Sequence, residues 1–201
     1  MEMSGEELIN APREQVWAAL NDPEILRQAI SGCQSVEKED DTSFSAVVKV
    51  KVGPVKATFK GKVTLSNIDA PNGYTITGEG KGGAAGFGKG GADISLSDAE
   101  GGTLLKYKVK ASVGGKMAQI GSRLIDSTAK KLAGEFFSNF NDLVSNSAAE
   151  TEPNETAETA IEEVPATTVQ TAPEKEGSNW TKPSFVIPAA LAIVIVLYLL
   201  S

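Results

Sequence analysis

The residues best suited to chemistry in this sequence are glycines, and the chemistry would be the cradling of phosphates. The stretch Gly78-Glu-Gly-Lys-Gly-Gly-Ala-Ala-Gly-Phe-Gly-Lys-Gly-Gly91 spells G-x-G-x-x-G twice, at Gly78, Gly80, Gly83 and at Gly86, Gly88, Gly91. Gly83 to Lys89 also spells G-x-x-x-x-G-K. That last pattern fails as a phosphate loop, because Gly90 stands where Ser or Thr must hold magnesium. The first two fail on context: a dinucleotide fingerprint turns from a strand into a helix, whereas strand-like alternation runs into and out of this stretch. The stretch therefore reads as two strands made thin. Such strands either let another element approach closely or leave space beside the sheet.

Other catalytic chemistry is sparse. The chain has no histidine, which removes the commonest general base at neutral pH and every Ser-His or Cys-His pair. Its one cysteine, Cys33, rules out an internal disulfide and a multi-thiolate zinc site. In Ser31-Gly32-Cys33 it reads as a packed small residue. An enzyme built here would need Glu79, Tyr107 or Asp126 facing a cavity, and nothing in their spacing pairs two of them. No catalytic residue and no metal ligand is assigned, and a binding module is the favoured class.

The elements that position these residues fall into three zones. Residues 1–146 carry 17 Lys and Arg against 18 Asp and Glu, and residues 147–201 carry 2 against 8. The first zone is thus nearly neutral, without the basic footprint of a nucleic-acid binder. Residues 147–179 are rich in Glu, Thr, Ala and Pro, a composition expected to stay disordered. Residues 180–201 are apolar, with an uncharged run from Ser184 to Ser201 that suits a short membrane-spanning helix. Trp180, Phe185, Ile187, Leu191, Ile195, Leu197 and Tyr198 would form this anchor, with Trp180 and Tyr198 at the two interfaces. The N-terminus Met1-Glu-Met-Ser lacks the charged and apolar regions of a signal peptide. The expected placement is a single-pass protein of the cell inner membrane with its N-terminal domain in the cytoplasm. A flexible leash of this length spans roughly 30–35 Å on average. Fully extended it reaches about 110 Å.

Within residues 1–146, Pro12 is expected just inside a first helix bearing Val16, Trp17 and Leu20, with Asn10 or Ala11 as its cap. Asp22-Pro23 stops it and starts a second short helix. Apolar residues then alternate with lysines over residues 44–52 and 55–65, joined by Gly53-Pro54. This predicts a hairpin with one wet, lysine-rich face (Lys49, Lys51, Lys56, Lys60, Lys62). Residues 74–82, 86–96 and 104–113 continue the pattern, the last adding Lys106, Lys108 and Lys110. A long amphipathic helix is expected over residues 116–144.

Several motifs together resemble the CoxG family of carbon monoxide dehydrogenase proteins, within the START-like helix-grip superfamily. They are Ala11-Pro12 with Val16-Trp17 and Leu20, Asp22-Pro23-Glu24, Gly32-Cys33, Gly53-Pro54-Val55, Gly78 to Phe87, Gly114-Gly-Lys-Met-Ala-Gln-Ile-Gly-Ser-Arg-Leu-Ile-Asp126, and Phe136-Phe137. One departure is Ser31, where the family usually has proline. The resemblance implies an α+β helix-grip fold: an antiparallel sheet of about seven strands wrapped around a long C-terminal helix, with an apolar cavity between them.

It also implies an accessory protein that recruits a molybdenum hydroxylase such as aerobic carbon monoxide dehydrogenase to the membrane and links it to the respiratory chain. No covalent cofactor is implied; a bound quinone or lipid is. The residues expected to line its cavity are Trp17, Leu20, Phe59, Phe87, Tyr107, Val109, Val113, Ile120 and Leu124. The alternative is a helix-grip enzyme, cyclase- or hydrolase-like, acting on a small apolar substrate.

Overall fold

A computed structural model describes residues 2–149. The expected anchor, and the expected leash beyond residue 149, lie outside the described residues. The chain order is β1 (Glu2–Ile9), α1 (Arg13–Ala19), α2 (Pro23–Ala29), β2 (Cys33–Lys38), β3 (Ser43–Val52), β4 (Val55–Asp69), β5 (Gly73–Lys81), β6 (Phe87–Ala99), β7 (Gly102–Gly114) and α3 (Ser122–Ala149). The strands form one antiparallel sheet in the order β1-β7-β6-β5-β4-β3-β2. Among the described residues no helix is long and apolar enough to cross a membrane.

Local sequence accounts for the helix ends with two adjustments. Pro12 is the cap of α1 rather than its first residue, and Val16, Trp17 and Ala19 turn inward. The Asp22 carboxylate accepts from the Glu24 amide at 2.8 Å and starts α2 as expected, with Pro23 as its first residue. The long helix starts later than its apolar periodicity predicts. Residues 118–120 form a 3-10 turn, and Gly121 at φ +99° breaks the path before α3 begins at Ser122. The helix then runs to Ala149, three residues past the expected domain edge.

The sheet's inner face carries the core. Its residues sit in rows that cross the strands in register. Beyond the Val48–Phe59, Val50–Ala57 and Val52–Val55 pairs next to the β3–β4 turn, one row is Ala46, Gly61, Gly80, Gly88, Val113, and the next is Phe44, Val63, Gly78, Gly90, Ala111. Toward the other end the rows become Leu65, Ile76, Ala92, Val109 and then Tyr74, Ile94, Tyr107. The helix changes in the same direction. Its buried seam is Ile125, Ala129 and Ala133 near its start, then Phe136, Phe137, Phe140 and Val144. On the central strands β5 and β6, and along the helix seam, the side chains pass from small to large over these segments.

Glycine also seats rings. A Cβ on Gly5, on Gly82 or on Gly114 would collide with Tyr107, Phe59 or Phe87 respectively. Gly5 is the register partner of Tyr107, and Gly114 that of Phe87. An aromatic ring lying over a cross-strand glycine recovers packing that the glycine alone gives up.

At the rim near the β3–β4 turn, two connections touch backbone to backbone. The Met117 amide donates to the Ala85 carbonyl at 2.9 Å. A Cβ on Gly115, whose φ is +79°, would lie 2.6 Å from the Gly86 Cα. Gly83 has a similar φ of +59° with nothing within 4 Å of its Cβ position. Gly83→Ala is expected to cost only the left-handed backbone penalty of about 1–2 kcal/mol. Gly115→Ala should cost about 1–3 kcal/mol more through overpacking, measured as a lower urea midpoint at unchanged slope.

Candidate functional site

The candidate site is where the inner sheet face meets the first half of α3. Its floor is the glycine and alanine of the first two rows, and its roof is Ile125, Ala129 and Ala133. Phe59, 1% exposed, leans across from β4 over Gly82. Met117, also buried, closes the rim from the connection before α3.

The nine residues expected to line the cavity separate into three groups. Trp17 and Leu20 are buried at the end where the large side chains gather, and Trp17 meets Tyr74 edge-on at 5.7 Å between ring centroids. Phe59, Tyr107 and Val109 are buried on the inner sheet face, where Tyr107 stacks on Phe137 at 5.4 Å. Phe87, Val113, Ile120 and Leu124 lie at the rim, and Phe87, expected in the cavity, is on the outer sheet face because its neighbour Gly88 faces in. Val113 and Ile120 are half-buried, whereas Phe87 is 49% and Leu124 39% exposed. Leu124 and Ile120 pack against the Gly53 turn, so they belong to the edge of the space rather than to its interior.

Three polar features of this region are not evident from residue type. Tyr74 is buried and its hydroxyl has no hydrogen-bond partner among the described residues. Burial alone pushes its pKa far above the ordinary phenol range, so it stays protonated. Asn21 is buried with its amide donating to the Trp17 carbonyl, and its own oxygen has no partner among the described residues. Burial, and secondarily the Glu7 charge, raises Tyr107 as well. Inward-facing alternation could have placed Tyr74 in the core; its missing partner has no sequence signal.

The residues that could support enzymatic chemistry are dispersed. Glu79 lies on the outer sheet face in an ion pair with Lys81 at 3.7 Å, while Tyr107 is on the inner face. Asp126 is half-buried near the start of α3. Cys33 is half-buried, and burial pushes its thiol up to about 11, which leaves little thiolate at neutral pH. Among the described residues no group of three acidic, cysteine or histidine side chains could hold a metal ion.

The lysine-rich outer face is present and partly neutralised. Lys106 pairs with Glu6 at 3.6 Å and Lys110 with Glu2 at 3.3 Å, while Lys62 pairs with Glu39. An open groove of about 710 Å³ crosses this face between Lys62, Thr77, Lys89 and Lys110, with Gly78 and Gly90 as its floor.

A seven-stranded antiparallel sheet closed by one long C-terminal helix, with two short helices between β1 and β2, is a helix-grip fold. The family model for CoxG, a carbon monoxide dehydrogenase subunit, matches residues 5–145, and the chain belongs to that family. A conserved protein from Geobacillus kaustophilus is 30% identical with a TM-score of 0.68, over 73% of this chain and 97% of that one. Two more distant structures share the fold alone. TTHA0849 from Thermus thermophilus is 14% identical at TM-score 0.57, over 74% of this chain and 99% of its own. Ara h 8.0201 is 20% identical at 0.54, over 73% and 98%. No curated protein matches the chain significantly.

Proposed function

We infer that this chain is an accessory protein of a carbon monoxide dehydrogenase-type molybdenum hydroxylase, tied to a membrane by residues 180–201. It carries an apolar ligand, a quinone or a lipid, between sheet and helix, and so links the enzyme to the respiratory chain. The accessory role rests on the family match over residues 5–145, which spans nearly the whole described fold. The ligand reading rests on one observation. The inner sheet face holds Gly61, Gly80 and Gly88 in one row, and the buried seam of the helix that closes it holds Ala129 and Ala133. Packed interiors ordinarily leave few voids, so two facing layers of small residues suit an apolar guest.

The test is organic extraction of the full chain purified from membranes, followed by mass spectrometry. A quinone or lipid in near-stoichiometric amount is expected from the native chain. It should be lost from Gly88→Leu, whose new side chain enters the space while far-UV circular dichroism stays native. An empty extract from the native chain, or a Gly88→Leu variant that retains the ligand, would overturn the carrier reading.

A further inference from the structure

Three connections meet at the rim of the small-residue end: the β3–β4 turn, residues 82–86, and residues 114–121. Two of the three exposed large apolar side chains among the described residues, Phe87 and Leu124, are here. The charge is equally one-sided. Residues 51–56, 79–89 and 112–124 hold six basic side chains (Lys51, Lys56, Lys81, Lys89, Lys116, Arg123) against one acidic, Glu79. Of the six, only Lys81 has an ion pair among the described residues.

The turns at the opposite end are the reverse. Residues 10–14, 38–43, 69–73 and 98–102 hold seven acidic side chains against two basic. A domain of almost no net charge is thus strongly polarised, and such a field orients it at a charged surface.

We propose that this rim is a docking surface for an anionic phospholipid bilayer, with Phe87 and Leu124 entering the headgroup region inside a ring of lysine and arginine. Exposed apolar side chains surrounded by unpaired cations match the two attractions such a surface offers. The outer sheet face is a weaker candidate, because its lysines are partly paired with Glu2, Glu6 and Glu39 and Phe87 is its only large apolar feature at this end.

The place where the described chain ends fits this arrangement. The C-terminal turn of α3 is tied to the far end, where Asn141 accepts from the Asn10 amide at 2.8 Å and the Val144 carbonyl accepts from Gln15 at 3.2 Å. A helix of this length covers about 42 Å. Residues 150–179 have a contour of roughly 100 Å, enough to return past the domain to the bilayer the rim would touch. The inference rests on the proposed function only for the source of that bilayer. It also puts the opening of the proposed ligand space against the lipid.

The test uses the full chain with Cys33→Ser and Ala118→Cys, the latter an exposed rim position, labelled with an environment-sensitive dye. Vesicles of phosphatidylcholine, with and without phosphatidylglycerol, are the probe. Emission is expected to rise severalfold on the anionic vesicles and little on neutral ones. Each basic residue near an anionic surface contributes roughly fivefold in affinity. Lys116→Glu with Arg123→Glu should therefore weaken the dye response more than tenfold, and Phe87→Ser with Leu124→Ser should abolish it.

Equal responses on neutral vesicles would overturn the proposal. So would a response that survives both double variants, or one that appears only on adding a partner enzyme without lipid. Flotation of the same samples in high salt reports the anchor separately. A chain that floats with vesicles but gives no dye response defeats the docking surface alone, and a chain that does not float defeats the anchor.

Discussion

Phe136→Ala should lower the folding stability of the domain by about 3–5 kcal/mol, whereas Phe87→Ala should cost less than about 1 kcal/mol. The residue type is the same and the surroundings decide the outcome. Phe136 is 1% exposed, stacks on Phe140 at 5.5 Å and meets Phe137 edge-on at 5.2 Å. It is part of the seam that holds α3 on the sheet and on α2, where Leu26 and Ala29 are fully buried. Removing the ring gives up its transfer free energy and leaves a cavity that its aromatic neighbours can only partly close. Phe87 keeps half its surface in water, so truncation forfeits mainly its contact with Gly114. For a domain with a stability of about 5–15 kcal/mol, the first change removes a large share. Urea unfolding of both variants checks the pair. A cost below about 1 kcal/mol for Phe136→Ala would mean that α3 is not held by this seam.

The contrast also marks what the sequence could tell. Five strands announce themselves by alternation, because Val, Ile and Phe face in while Lys and Thr face water. β1 does not, since its inward positions are Met3, Gly5, Glu7 and Ile9. Gly5 there looks like a strand breaker and is in fact the seat of the Tyr107 ring. β2 is six residues long and irregular between Cys33 and Ser35, too short and uneven for its period to register. Both strands were expected only through the family resemblance.

Met117 and Ile120 fit the period of the following helix, which hid the break at Gly121. In space Met117 is buried against the connection before β6 and is not a residue of α3. The candidate site was legible as glycine facing a helix. Which apolar residues line it was less so. Alternation with inward Gly88, Gly90 and Ala92 puts Phe87 on the outer face, and Leu124 sits where its helix begins, where the face runs out into solvent.

Alkaline unfolding should begin earlier and steepen more than the sequence alone suggests, and Tyr74→Phe should remove much of the steepening. Burial holds Cys33 at about 11 against an ordinary 9.0. It raises Tyr74 and Tyr107 above an ordinary 10.0. In each case the folded chain keeps a proton that the unfolded chain releases once the pH passes the ordinary value. Stability from these groups is therefore complete below about pH 9 and declines as the pH rises, first through Cys33 and then, above 10, through the tyrosines. A fully buried group contributes at most about 1.4 kcal/mol per pH unit, and Tyr74 is the group closest to that limit.

At neutral pH the same substitution acts through the unpaired hydroxyl instead. The Tyr74 hydroxyl has no partner among the described residues, and a buried unpaired polar atom costs about 1–3 kcal/mol. Tyr74→Phe is thus expected to be neutral or about 1 kcal/mol stabilising at pH 7, and clearly more stable than the native chain at pH 11. Urea midpoints of both proteins across pH 7–11 are the measurement. A loss of more than about 1 kcal/mol at pH 7 would show that the hydroxyl has a partner in solution, whether water or the head of a bound ligand. The same position would then report occupancy of the interior.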